Sequence, residues 1–189
     1  MGGVSRKPAS PKPSLHAPSL PKPFADWFKA RGWSARAHQL ELLALAQKGE
    51  SALLVAPTGA GKTLAGFLPT LAAFCPSVLG GAEPPEGLHT LYVSPLKALA
   101  HDVQRNLLTP VAELGLPLRI EVRSGDTPSD RKARQRARPP HVLLTTPESL
   151  SLLLSYPESD TLFAALKRVV IDEIHAFAPT KIGRASCRE

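Results

Sequence analysis

Between a short apolar run and a helix-like segment stands Ala56-Pro57-Thr58-Gly59-Ala60-Gly61-Lys62-Thr63, residue types that together suit the cradling of a phosphate chain. Gly59 and Gly61 free the backbone to turn the N–H groups of Thr58, Gly59, Ala60 and Gly61 onto a β-phosphate. That phosphate would sit at a helix start, where the macrodipole favours an anion. Lys62 would reach the β- and γ-phosphates, and the Thr63 hydroxyl is a natural ligand for Mg2+. The plainer alternative is a glycine turn that only caps a helix. Far along the chain, the apolar run Val169-Val170-Ile171 delivers Asp172-Glu173. By itself such an acidic pair is often just a solvated turn. Paired with Lys62 and Thr63 it describes hydrolysis of a nucleoside triphosphate. Asp172 would hold the metal through water, and Glu173 would orient and deprotonate the attacking water.

Two other apolar runs end in a different device: Ser94-Pro95 after Leu91-Tyr92-Val93, and Thr146-Pro147-Glu148 after Val142-Leu143-Leu144-Thr145. Ser94 and Thr146 are suited to cap a first helical turn, and Pro95 and Pro147 are pre-set for the first helical position. Helix N-termini bind phosphates without reading bases, so such ends in a row could track a nucleic-acid strand, with Lys97 and Arg123 adding charge. Ordinary capped helices of an α/β fold are the alternative. The run Arg131-Lys132-Ala133-Arg134-Gln135-Arg136-Ala137-Arg138 reads as a helix after Ser129-Asp130 with charge all round its axis. A solvated helix is its first reading and a further nucleic-acid contact its second.

These residues need a frame. Short apolar runs occur at Ala52–Ala56, Thr90–Ser94, Leu118–Val122, Val142–Thr145 and Val169–Asp172, separated by helix-like or loop segments. The alternation predicts an α/β domain with a mostly parallel sheet flanked by helices. Continuous apolar residues such as Val169-Val170-Ile171 suit strands covered on both faces. Ahead of them, Phe24, Trp27, Phe28 and Trp33 form an aromatic cluster. A helix near Arg36–Lys48 follows, with Gly49 as its C-terminal cap. Residues 1–23 are rich in Pro, Ser and Lys and predict a disordered tail.

Composition bounds the rest. A chain of 189 residues has room for one sizeable core. Its net charge of +7 and pI near 9.7 suit a phosphate-bearing partner. Cys75 and Cys187 form neither a disulfide framework nor a metal-ligand spacing, which points to a reducing, cytoplasmic setting. The N-terminus lacks the apolar core of a secretory signal, and Arg6 stands where a myristoylation signal needs Ser or Thr. Thr63–Ala82 has no charged residue and the length of a membrane span, but Pro69, Pro76, Gly80 and Gly81 interrupt it. A buried helix followed by a loop is expected there, and no membrane partner.

The ordered set Gln39, Ala56–Thr63, Ser94-Pro95-Leu96-Lys97-Ala98-Leu99, Ser124-Gly125-Asp126-Thr127, Thr145–Ser149 and Asp172-Glu173-Ile174-His175 resembles a superfamily 2 DExH/DEAD-box helicase. Phe24-Ala25-Asp26-Trp27-Phe28, Ser94–Leu99 and Ser124–Pro128 narrow the resemblance to the ligase-associated, Lhr-like bacterial DNA helicases. The fold it implies is a RecA-like P-loop NTPase domain over residues 24–181, the first of two. Its cofactors would be ATP and Mg2+, with Thr63 and Asp172 at the metal. By the same resemblance Gln39 contacts the adenine and His175 couples the nucleotide site to the rest of the motor. Ser94–Leu99 and Thr145–Ser149 grip the strand backbone. The implied activity is ATP-driven 3′-to-5′ translocation and unwinding, with DNA preferred to RNA, a role in repair, and association with a DNA ligase or nuclease. The resemblance carries no oligomeric state.

After Lys181 the family continues with a helix, a strand ending in Ser-Ala-Thr and a second RecA-like domain bearing the arginine finger. Residues 182–189 instead read Ile-Gly-Arg-Ala-Ser-Cys-Arg-Glu, which resembles a translated sequencing adapter and is expected to be non-native. The domain is therefore expected to be truncated before its final strands, with little ATPase activity by itself. Two other functions remain open: an ATP-gated nucleic-acid clamp that does not unwind, and another kind of P-loop NTPase.

Overall fold

The computed structural model describes residues 19–57 and 59–177. Most of the expected tail, Thr58, the Lys181 boundary and the expected adapter-derived residues 182–189 lie outside these. The order of elements is α1 (Lys22–Ala30), α2 (Ala37–Gln47), α3 (Lys62–Ala73), α4 (Pro76–Leu79), β1 (Thr90–Val93), α5 (Lys97–Glu113) and β2 (Ile120–Arg123). There follow α6 (Ser129–Ala137), β3 (Val142–Thr145), α7 (Pro147–Leu154), α8 (Ser159–Phe163), β4 (Arg168–Ile171) and a 3-10 turn at Ile174–Phe177.

Four of the five expected strands pair into one parallel sheet in the order β2-β3-β1-β4. The register sets Val93 opposite both Thr145 and Ile171, and Arg123 opposite Thr145, so the C-terminal ends of all four strands lie level. The two inner strands β1 and β3 are buried along their whole length because both faces are covered, whereas β4, expected to be covered in the same way, is not. Tyr92, Val142, Leu144, Ile120 and Val122 pack with Phe67, Leu68 and Leu71 of α3 and Val103 and Leu107 of α5. Leu91, Val93 and Leu143 face the other way, onto Leu153 of α7 and Leu162 of α8.

The expected strand at Ala52–Ala56 does not form. That run has no ladder partner, and Leu53 and Val55 are 72% and 86% exposed. An extended segment becomes a strand only when a neighbour takes its N–H and C=O groups. The sheet stops at β4, whose Val169 and Ile171 are half exposed. The family resemblance expects one more strand between β4 and Ala52–Ala56, and none lies there among the described residues.

Smaller boundaries shift as well. Helix α1 begins at Lys22 and Leu20 packs against the core, so ordered structure starts inside the expected tail. The second strand runs two residues beyond the expected start, from Ile120. Helix α3 continues through Pro69, which is buried with Ala65, Phe67, Leu68 and Leu71. Its burial holds the turn although proline donates no hydrogen bond to Ala65. No helix among the described residues is long and apolar enough to cross a membrane.

The aromatic cluster clasps α1 to the far end of α5. Arg31 lies over the rings of Trp27 and Trp33, at 4.6 and 5.4 Å from their centroids. The Glu113 carboxylate accepts from Trp27 Nε1 at 2.6 Å and from Arg31. The arginine-rich helix α6 is tied down rather than free. Arg134 and Gln135 donate to Glu121 of β2, Arg131 pairs with the same carboxylate, and Arg136 lies over Tyr156.

At the opposite end of the sheet from the level strand ends, His89 and His141 are buried against Phe74. Burial, reinforced by Arg168 and Lys167 around His89 and by Arg119 around His141, pushes both imidazoles down to about 4. Both are therefore neutral in the fold and protonate more readily once unfolded. Their contribution to stability is complete above about pH 6.5 and is lost as pH falls toward 4. Thermal melts between pH 7 and 4.5 are expected to fall steadily, by an equivalent of a few kcal/mol. Replacing both histidines by Asn should flatten that slope, and an unchanged slope would rule the pair out as its source.

Candidate functional site

The phosphate-loop sequence folds as its glycines require. Gly59 and Gly61 hold φ of +78 and +73, and Gly61 is the N-cap from which α3 springs. Lys62 is the first helical residue, with Thr63 next to it. The Lys62 ammonium donates to Ala56 O at 2.9 Å and Pro57 O at 3.3 Å, so it folds back over the loop that it would share with a phosphate chain.

Gln39 lies nearly fully buried in the first turn of α2. Its Oε1 accepts from Arg36 N at 2.9 Å, and its Nε2 reaches Gly61 O at 3.5 Å. The side chain is thus a strut between the start of α2 and the phosphate loop. A Cβ at Gly61 would come within 3.0 Å of that Nε2, a second reason for glycine there.

Helix α3, which follows the loop, packs on β4. Gly66 lets it come close, since a Cβ at that position would lie 3.3 Å from Val170 Cγ1. Val170 is two residues before Asp172, and this packing brings the phosphate-loop helix onto the strand that ends in the acidic pair. Asp172 accepts at both oxygens, from Tyr92 Oη at 2.7 Å and from Glu173 N at 2.9 Å. Glu173 sits at φ +50, a left-handed conformation that costs a non-glycine residue about 1–3 kcal/mol. Its carboxylate lies 3.3 Å from His175 Nδ1. Asp172, Glu173 and His175 are therefore one contiguous group. The described residues hold no cluster of three or more metal-ligating side chains. Two oxygen ligands, with phosphates and water completing the shell, are enough for Mg2+.

The level strand ends set Ser124, Thr146, Ser94 and Asp172 side by side along one edge, in the order of β2, β3, β1 and β4. The expected nucleic-acid residues divide here. Thr146 is the N-cap of α7, its Oγ1 accepting from Ser149 N at 3.5 Å, with Pro147 first in the helix and Glu148 exposed behind it. The Glu148 carboxylate is held below its ordinary range by its own amide, then by Thr146 and Lys97. Ser94 does not cap a helix as expected. It is fully buried, Leu96 is the N-cap of α5, and Pro95 lies outside the helix. Between Ser94 and the helix the chain bends at Pro95, where Leu96 N donates to Ser94 Oγ at 3.5 Å.

Lys97 is exposed and paired with Asp126 at 2.8 Å. Arg123 is not on the surface: it is 2% exposed and its guanidinium donates to Lys132 O of α6. It braces α6, and its burial keeps the guanidinium from direct contact with a strand in this conformation. The signal missed in the sequence is that Arg123 is the last residue of β2, where alternation turns it beneath the following helix. Sequence reasoning also missed Tyr92, whose link to Asp172 depends on β1 and β4 being neighbours.

Replacing Thr146 by Ala removes the cap of α7 and is expected to cost about 1 kcal/mol. In a chain of this size that is a fall in Tm of about 2–4 °C. An unchanged melt would show that the 3.5 Å bond does not hold the helix end.

Comparison with known proteins places this geometry. The family model of DEAD/DEAH box helicases matches residues 36–186. The Lhr helicase/probable uracil glycosylase of Mycolicibacterium smegmatis is 42% identical over 168 residues, which are 84% of this chain and 11% of that relative. The solved structure of Mycobacterium smegmatis helicase Lhr bound to ssDNA and AMP-PNP matches with a TM-score of 0.72 and 38% identity, covering 85% of this chain and 21% of that one. The DUF1998 helicase MrfA bound to DNA and AMPPNP matches at 0.70 and 29%, covering 92% and 23%. The chain thus spans about a tenth to a quarter of the length of these proteins.

Proposed function

The chain belongs to the DEAD/DEAH box helicase family, and from that membership we propose that it is the ATP-binding part of an ATP-dependent DNA helicase. Residues 24–181 would form the first RecA-like domain, and the full-length protein would supply the second and its arginine finger. The observation that carries this reading is the single sheet edge that holds both devices. Asp172 and Glu173 stand at one end, beside the phosphate-loop helix, and Ser94, Thr146 and Ser124 continue the line. The Lhr structure, described as bound to ssDNA and AMP-PNP, supports DNA and ATP as the ligands.

In this reading the N–H groups of the phosphate loop bind the β-phosphate, and Lys62 leaves the Ala56 and Pro57 carbonyls to neutralise the γ-phosphate. Mg2+, when bound, would offset charge between the β- and γ-phosphates, and the Thr63 hydroxyl and Asp172 carboxylate are the oxygens to hold it. Glu173 takes a proton from the attacking water. Gln39 holds the loop against α2, and to contact the adenine its buried amide would turn away from Gly61 O. His175, 3.3 Å from Glu173, passes the state of the hydrolytic site onward. The α7 start at Thr146-Pro147 and the exposed Lys97 would meet strand phosphates, with Ser94 and Pro95 shaping the turn between them. Movement from 3′ to 5′, action in repair and work beside a ligase or nuclease are parts of the same proposal.

The test is ATP hydrolysis and unwinding by the full-length protein. Single-stranded DNA should stimulate hydrolysis, and duplexes with a 3′ tail should be unwound in preference to those with a 5′ tail. Hydrolysis indifferent to DNA would overturn the helicase reading. Equal use of the two tails would overturn the polarity.

A further inference from the structure

Among the described residues, Tyr92 is the side chain that reaches across the sheet to the acidic pair. It is the third residue of β1, 1% exposed, and its ring packs on Phe67 of α3 with centroids 5.4 Å apart. Because β1 and β4 are adjacent and in parallel register, Tyr92 lies opposite Val170, and its long side chain spans the two residues to Asp172. There its hydroxyl donates to Asp172 Oδ2 at 2.7 Å. The second oxygen, Oδ1, accepts from Glu173 N at 2.9 Å. The carboxylate is thus pinned at both ends, by one side chain from a neighbouring strand and one amide from its own.

Nothing in the helicase signature asks for a tyrosine in the middle of β1. An apolar residue would fill the space against Phe67 equally well, and a buried hydroxyl there requires a partner. Between a phenol and a carboxylate the phenol is the donor, so the Tyr92 hydroxyl gives its hydrogen to Asp172.

We propose that Tyr92 is a positioning residue for Mg2+: it fixes the rotation of the Asp172 carboxylate so that one lone pair of each oxygen is taken and the others are presented to the metal's water shell. This rests on the ATPase reading above. A ligand held by an outer hydrogen bond binds its metal without first being ordered, and losing such a partner typically weakens metal affinity about 10–100-fold.

The experiment uses the full-length protein and follows binding of a fluorescent ATP analogue as Mg2+ is titrated, with thermal melts alongside. Tyr92→Phe should raise the Mg2+ concentration for half-maximal binding by about tenfold, while nucleotide binding at saturating Mg2+ stays close to wild type. Phe67→Leu disturbs the same packing but spares the hydroxyl, so it should lower the melt and leave the Mg2+ requirement alone. On an Asp172→Ala background, Tyr92→Phe should add nothing. An unchanged Mg2+ requirement in Tyr92→Phe overturns the inference, as does an equal shift in Phe67→Leu. A wild-type protein that binds no nucleotide overturns the ATPase reading itself, and the inference with it.

Discussion

Glu173→Gln in the full-length protein should lower DNA-stimulated ATP hydrolysis by about 10²–10⁴-fold, while ATP-dependent binding of single-stranded DNA persists. The substitution keeps the size of the side chain and removes the group that accepts the water's proton. Among the described residues that carboxylate pairs only with His175, at 3.3 Å and on an exposed turn, so the variant should melt with wild type. The backbone amide of residue 173 still donates to Asp172, which keeps the metal ligand in place. The protein would then load ATP and hold a strand without turning over. Unwinding should disappear with hydrolysis. If unwinding survived, the assignment of Glu173 would be wrong, and if wild type bound DNA under ATP but never unwound it, an ATP-gated clamp would be the better description.

Lys62→Ala should fail at an earlier step. Hydrolysis should fall by about 10²–10³-fold, because the cation that would neutralise the γ-phosphate is gone from a preorganised site. ATP-dependent DNA binding should fall with it, unlike in Glu173→Gln. The structure bears on the control. Lys62 donates to Ala56 O and Pro57 O, so its removal frees two loop carbonyls that are partly open to solvent and can be hydrated. A small change in Tm together with a large loss of nucleotide binding is the expected pair of results. Retention of normal ATP affinity would remove Lys62 from the site.

Much of this was legible in the residues because each device is local. Gly59 and Gly61 must turn, and Lys62 must follow at the helix start, whatever surrounds them. The loop takes that shape, with both glycines at positive φ. Thr146-Pro147 is local in the same way, and α7 begins where those two residues place it. The pattern misled where neighbours decide. Arg123 reads as surface charge, but the last residue of β2 is covered by α6, and its guanidinium is buried and donates to Lys132 O. Ala52–Ala56 has the composition of a buried strand, yet a strand is a relation between two chains of hydrogen bonds, and no partner for it lies among the described residues.

The sequence by itself thus determined the chemistry on offer: a phosphate loop, an acidic pair, a capped helix start, and strands apolar enough to be covered on both faces. These follow from side-chain identity and backbone freedom over a few residues. Only the tertiary structure decided which of them meet. The order β2-β3-β1-β4 puts Tyr92 beside Asp172 and lines the strand ends into one edge. Gly66 lets α3, the helix that follows the loop, down onto β4, the strand that leads to the acidic pair. Strand order and helix approach depend on contacts between residues far apart in the chain, which no local pattern encodes.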